Sequence, residues 1–209
     1  MTTDEKQAIK EFCSQYAWLR WVYDDYLALY EKGPERIQLL HEVAPHFFER
    51  LNRILVQHIE LGICKLTDPP GRKGQKNLTI KYILELIGEK ESKKLGLDVL
   101  AKSILVIRPY IIKGRNKAIA HLDRDALVSK SIFNQYPREV LDRFWESLRE
   151  FVDKVRKHYF GSIIGEVIDN KGAIGLVGAL KKGVHWKDYF SDHTDLCASA
   201  VREMRYKNA

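Results

Sequence analysis

The stretch Pro137-Arg-Glu-Val-Leu-Asp-Arg-Phe-Trp-Glu-Ser-Leu-Arg-Glu-Phe-Val-Asp-Lys-Val-Arg-Lys-His-Tyr159 decides the fold class. Val140, Leu141, Phe144, Leu148, Phe151, Val152, Val155 and Tyr159 recur at steps of three and four, the period of one helix face and not the alternation of a strand. Pro137 suits the first helical position, where a missing N–H costs nothing. Glu139/Arg143, Glu150/Lys154 and Asp153/Lys157 form favourable i,i+4 pairs on the opposite side.

The same period extends outward from this segment. Thr3 to Tyr30 carries Ile9, Phe12, Cys13, Tyr16, Leu19, Val22, Tyr23 and Tyr26 at helical steps, and Asp4 and Glu5 give it an acidic first turn. Gly33-Pro34 ends it. A second tract covers roughly Glu35 to Thr67, with Pro45 either kinking it or opening a new helix. Its apolar stripe is Phe47, Phe48, Leu51, Ile54, Leu55, His58, Ile59 and Ile63. Asp68 to Asn77 is the clearest loop, and it is basic. Asn77 is a candidate cap for the helix that carries Leu78, Ile80, Tyr82, Ile83, Leu86 and Ile87. Gly88 and the charged run Glu89 to Lys94 follow. Asp98 to His121 then reads as helix, with Pro109 inside it.

After Gly161 the pattern weakens. Gly172, Gly175 and Gly178 each cost a helix about 1 kcal/mol relative to alanine, so a short helix over Gly172 to Leu180 and a weakly specified tail are expected. The whole predicts an all-α, up-and-down helical bundle over residues 1–160, with a C-terminal helical extension over 161–209 packed on the same domain.

Composition narrows the function classes. The chain has 209 residues, 45% hydrophobic and 30% charged, enough for one buried core and unlike a disordered chain. No run reaches the ~18 apolar residues of a spanning helix, and the acidic start MTTDEKQAIK is unlike a secretory signal. Three scattered cysteines, Cys13, Cys64 and Cys197, suit a reducing compartment and offer no metal-ligand spacing. A cytoplasmic protein with no membrane partner and no cofactor is expected. Lys and Arg total 35 against 28 Asp and Glu, a net charge of +7 that favours a polyanionic partner.

The segment Lys113-Gly-Arg-Asn-Lys-Ala-Ile-Ala-His121 carries the chemistry. A guanidinium is a permanent forked cation suited to phosphate. An imidazole exchanges protons near neutral pH. Arg115 and His121 are therefore a minimal kit for cleaving RNA without metal: His121 moves the proton of the ribose 2′-hydroxyl or of the leaving 5′-oxygen, and Arg115 neutralises charge growing at phosphorus. Six positions along a helix advance about 9 Å and leave the two side chains about 120° apart. Gly114, Ala118 and His121 do share a face, and two of these are small. A partner helix can approach closely there, so a two-fold dimer with a composite site resolves the geometry.

Arg115-Asn116-Lys117-Ala118-Ile119-Ala120-His121 resembles the Arg-Asn-x-x-x-Ala-His signature of the HEPN superfamily. Leu66-Thr67-Asp68-Pro69 at a helix end, the helix start Asn77-Leu78-Thr79-Ile80, and Lys117 to Asp123 resemble the abortive-infection U-type branch over about residues 10–185. The resemblance implies an all-helical, usually homodimeric protein, and metal-independent endoribonuclease activity in antiviral or toxin–antitoxin systems. It implies Arg115 and His121 as catalytic residues supported by Asn116, RNA as substrate, and an antitoxin or other defence protein as a further partner. The alternative within the family is a non-catalytic module that binds nucleotide, RNA or antitoxin.

Several other residues have two readings. Lys117 and the basic loop residues Arg72, Lys73 and Lys76, with Lys65 and Lys81 nearby, either grip an RNA backbone or form a solvated face. Asp123 and Asp125 either orient His121 through its second nitrogen or form a turn. Trp18, Trp21, Tyr16, Tyr23 and Tyr26 suit an aromatic core or dimer seam better than base stacking. His41, His46, His58 and His158 stand singly as structural or surface residues. The His185, Trp186, His193 region with Asp188, Asp192 and Asp195 is a poor metal site, and no metal is expected.

Overall fold

The computed structural model describes residues 2–72, 75–114, 136–164 and 171–191. Their regular structure is helical except for one two-residue ladder: α1 (Thr3–Tyr30), α2 (Pro34–Val43), α3 (Pro45–Thr67), β1 (Gly71–Arg72), β2 (Gln75–Lys76), α4 (Ile80–Ile87), α5 (Glu89–Leu95), α6 (Leu97–Leu105), α7 (Arg108–Gly114), α8 (Arg138–Phe160) and α9 (Lys171–Ser191). Apart from that ladder the described residues form an all-α fold.

Two compact units divide the chain, each assembled from two segments. The first comprises Met1–Tyr23 and Arg53–Ile168. Its core is the apolar stripe of α1 (Ile9, Phe12, Cys13, Tyr16, Leu19) with Ile59 and Ile63 of α3, Ile80 and Ile83 of α4, Leu97 and Ile104 of α6, and Phe144, Leu148, Phe151 and Val152 of α8. Phe12 meets Phe151 edge-on with centroids 6.1 Å apart, and Tyr23 stacks on Trp145 at 4.6 Å. Ser147 Oγ donates to Ser103 Oγ at 2.9 Å, which joins α8 to α6 by a polar contact inside an otherwise apolar seam. Ring pairs of this kind add about 0.5–1.5 kcal/mol beyond area burial.

The second unit comprises Asp24–Asn52 and Asp169–Ala209. Here α2 packs on α9, which buries Ala173 and Val177 one helical turn apart. The Tyr30 hydroxyl donates to the Phe48 carbonyl at 2.8 Å, and the Arg36 guanidinium donates to the Ala28 carbonyl.

Several boundaries correct the sequence expectations. The first helix is closed by a capping box: Thr2 Oγ1 accepts from the Glu5 N–H at 3.2 Å, and the Glu5 carboxylate accepts from the Thr2 N–H at 2.7 Å. Pro45 opens a new helix. Phe47, Ile54 and His58 of α3 are exposed, so the buried stripe is narrower than the apolar pattern suggested. The charged run Glu89 to Lys94 lies in α5, which carries the Lys93–Glu89 and Lys94–Glu91 pairs and is bounded by Gly88 and Gly96 at φ 82° and 70°, backbone that costs any other residue a steric penalty. The tract predicted from Asp98 onward breaks at Val106–Ile107, because Pro109 has no N–H to continue a helix and instead lies in the first turn of α7, which begins at Arg108. The C-terminal helix is longer than Gly172 to Leu180 and runs to Ser191.

Candidate functional site

The basic loop is built from its two ends. Thr67, almost wholly buried, donates its hydroxyl to the Ile63 carbonyl at 2.8 Å, and the Asp68 N–H closes on the Cys64 carbonyl at 2.8 Å. Pro69 and Pro70 then stop α3, since neither has an N–H to donate. The antiparallel ladder pairs Gly71 with Lys76 and Arg72 with Gln75. Asn77 ties the base: its N–H donates to the Pro70 carbonyl at 2.8 Å and its side-chain amide to the Pro69 carbonyl at 3.4 Å. Asn77 is therefore not the cap of α4. That role belongs to Thr79, whose buried Oγ1 accepts from the Tyr82 N–H at 3.2 Å.

This loop is fastened to the helix that precedes the Arg-Asn-x-x-x-Ala-His string. Asp68 accepts from Arg108 at 3.4 Å, with the two side chains 23% and 34% exposed. A half-screened pair of this kind contributes little energy, about 0–1 kcal/mol; its effect is positional. Arg108 begins α7, α7 ends at Gly114, and Arg115 is the next residue in the chain.

Beside the loop lies a cleft of about 610 Å³, formed by α1, α3 and the strand-to-helix segment of the first unit. Trp18 and Gln15 of α1, His58 and Lys65 of α3, and Lys76 and Asn77 of the loop line it, together with Asp68. Trp18 is 55% exposed despite its large apolar ring. Lys65 is exposed in the last turn of α3, and among the described residues no carboxylate pairs with it. Lys76 lies 3.5 Å from Glu85 and 5.0 Å from the centroid of the Tyr82 ring. At the cleft floor α1 and α3 approach closely at Gly62: a Cβ there would overlap Leu19 Cδ1 and lie 3.0 Å from Cδ2.

Of the residues singled out from sequence, Arg115, Asn116, Lys117, His121, Asp123 and Lys73 lie outside the described residues, as does the side chain of Arg72, whose backbone forms β1. Lys76 is described and borders the cleft. Trp18, which on sequence suits an aromatic core or a dimer seam, is not in the core but exposed on the cleft, and His58, expected as a structural or surface residue, is exposed there too. The signal for Trp18 was present: the buried positions 12, 13, 16, 19 and 23 define a face from which position 18 points away at 100° per residue. Cys13 is buried, and burial pushes its thiol up to about 11, so it is protonated near neutral pH and is no nucleophile. Among the described residues no three His, Cys, Asp or Glu side chains converge to hold a metal, and no helix is long and apolar enough to cross a membrane.

The helices described, and the Arg-Asn-x-x-x-Ala-His string that follows α7 in the chain, are what the HEPN resemblance implies. Residues 5–173 match the HEPN family model described as AbiU2, and the chain belongs to that family, the abortive-infection U2 type of HEPN domain. The match spans the motif from Arg115 to His121 as well as the loop and the cleft. No curated protein and no solved structure matches the chain.

Proposed function

We propose that this chain is a metal-independent endoribonuclease of bacterial abortive-infection defence, acting as a homodimer whose composite site is supplied by Arg115, Asn116 and His121. The single observation that carries it is membership of the AbiU2 HEPN family over a span that includes Arg115 to His121. The positive balance of the chain and the lysines beside the loop that is pinned to α7 support an RNA substrate.

The reaction needs only groups that the motif provides. His121 takes the proton of the 2′-hydroxyl; the 2′-oxygen attacks phosphorus and the bond to the 5′-oxygen breaks, with a proton delivered to that leaving oxygen. The products are a 2′,3′-cyclic phosphate and a 5′-hydroxyl. Arg115 stabilises charge on the non-bridging oxygens of the phosphorane, where a fixed cation is worth most, and Asn116 orients the pair. Lys117 adds a backbone contact, and Asp123 holds the second nitrogen of His121.

The test is RNA degradation by the purified protein in EDTA. Proton transfer by a positioned imidazole is worth about 10²–10⁴-fold, so His121→Ala is expected to lose activity by that factor. Wild type and His121→Ala behaving alike, both inactive or both cleaving, removes the proposal. Saturable RNA binding that Arg115→Ala abolishes, with no cleavage by wild type, leaves the family's alternative, a binding module without turnover.

A further inference from the structure

We propose that the cleft between α1, α3 and the basic loop is a second RNA subsite, which holds single-stranded nucleotides flanking the scissile linkage, with Trp18 stacking a base and Lys65 and Lys76 holding phosphates. The inference rests on RNA being the substrate, and it extends that reading to residues far in sequence from the motif.

Four observations converge on it. Trp18 is more than half exposed at the cleft wall. A large apolar ring left in water has a free face for stacking, which accepts any base. Lys65 and Lys76 stand on two other walls of the same cleft. An aromatic platform beside spaced cations is what a single strand requires, base against ring and phosphate against ammonium. The cleft, at about 610 Å³, has the volume of an ordinary small-ligand site, room for about one or two nucleotides. Asn77 is held in place by two hydrogen bonds to the loop base through its donors, which leaves its side-chain carbonyl directed by the fold and open to a base edge.

The cleft is also linked to the helix that precedes the motif in the chain. Asp68 is part of its lining and is the partner of Arg108, at the start of the helix that leads to Arg115. Binding energy gathered by contacts in the cleft is available to position the scissile linkage.

The experiment measures fluorescence anisotropy of a short labelled oligouridylate with the full chain carrying His121→Ala, so that nothing is cleaved. Trp18→Ala in that background is expected to weaken binding about five- to hundredfold, the range for one lost base stack, while Trp18→Phe keeps most of it. Lys65→Ala is expected to lower the slope of log affinity against log salt by about 0.7, one phosphate contact on a single strand. Uridine monophosphate is expected to compete only weakly, because it makes one stack and one phosphate contact. Melting temperature and sedimentation accompany each variant. Unchanged affinity in Trp18→Ala, an unchanged salt slope in Lys65→Ala, or a mononucleotide that competes as well as the strand each overturns the subsite. So does loss of the dimer in Trp18→Ala, which makes the tryptophan a seam between copies. If His121→Ala leaves RNA cleavage unaltered while Trp18→Ala still abolishes binding, the nuclease proposal fails and the subsite stands; if Trp18→Ala binds normally while His121→Ala stops cleavage, the reverse holds.

Discussion

Replacing Thr79 with alanine tests how the cleft wall is held. Thr79 is fully buried, and its Oγ1 accepts from the Tyr82 N–H, one of the four N–H groups that open α4 without a partner in the helix. Loss of an N-cap hydroxyl costs about 0.5–2 kcal/mol. Water cannot replace it at a fully buried position, and a buried N–H left without an acceptor costs about 1–3 kcal/mol, so the upper part of the capping range applies, about 1.5–2 kcal/mol. Such a loss is a large fraction of the stability of an ordinary domain. Thr79→Ser keeps the acceptor and should cost well under that. Asn77→Ala removes only a long amide contact to the Pro69 carbonyl on an exposed side chain and should cost less than about 0.5 kcal/mol. Urea unfolding followed by far-ultraviolet circular dichroism measures all three. A cost for Asn77→Ala equal to or above that of Thr79→Ala refutes the assignment of the cap, and a Thr79→Ala protein as stable as wild type refutes the claim that α4 depends on it. The same variant should also weaken oligouridylate binding, since Asn77 and Leu78 of the cleft lining lead directly into this cap.

Gly62→Val should destabilise the protein by about 1–3 kcal/mol, the cost of overpacking a filled seam, because its branched Cβ meets the buried Leu19; Leu19→Ala in the same chain should recover part of that loss, and purely additive costs in the double variant would disprove the contact. Stability should also fall in alkali because of Cys13, whose thiol is pushed by burial from 9.0 to about 11. The unfolded chain releases this proton first, so the contribution is complete below pH 9.0, declines as pH rises, and is gone above about 11. A rise of that size corresponds to roughly 3 kcal/mol. The unfolding free-energy difference between wild type and Cys13→Ala, measured across that window, should shrink by an amount of this order, and a difference flat in pH would contradict it.

Much of the architecture was legible along the chain. The apolar period of Pro137 to Tyr159 and of Thr3 to Tyr30 requires helices, because only a 3.6-residue repeat places Phe144, Leu148, Phe151 and Val155, or Phe12, Tyr16, Leu19 and Tyr23, on one side. These residues are buried as the pattern demands. The family resemblance was likewise carried by a contiguous string, Arg115 to His121, flanked by Thr67-Asp68-Pro69 upstream. Local chemistry of this kind survives in one dimension because its partners are covalent neighbours.

Sequence alone misjudged features whose energies depend on what lies opposite. An apolar stripe states which residues prefer burial, not how wide a neighbouring helix is, so Ile54 and Phe47 stayed in water while Ile59 and Ile63 were covered. Asn77 and Thr79 are both good caps by residue type. The choice fell to Thr79 because Asn77 is committed to the proline carbonyls across the loop base. Amino-acid order determined that this protein is helical and that it carries the string Arg115 to His121 within the span of its HEPN family. Only the tertiary structure decided that Trp18, Lys65 and Lys76, drawn from α1, α3 and a hairpin, face one cleft, because proximity between distant segments is set by packing and loop closure and leaves no periodic trace in the chain.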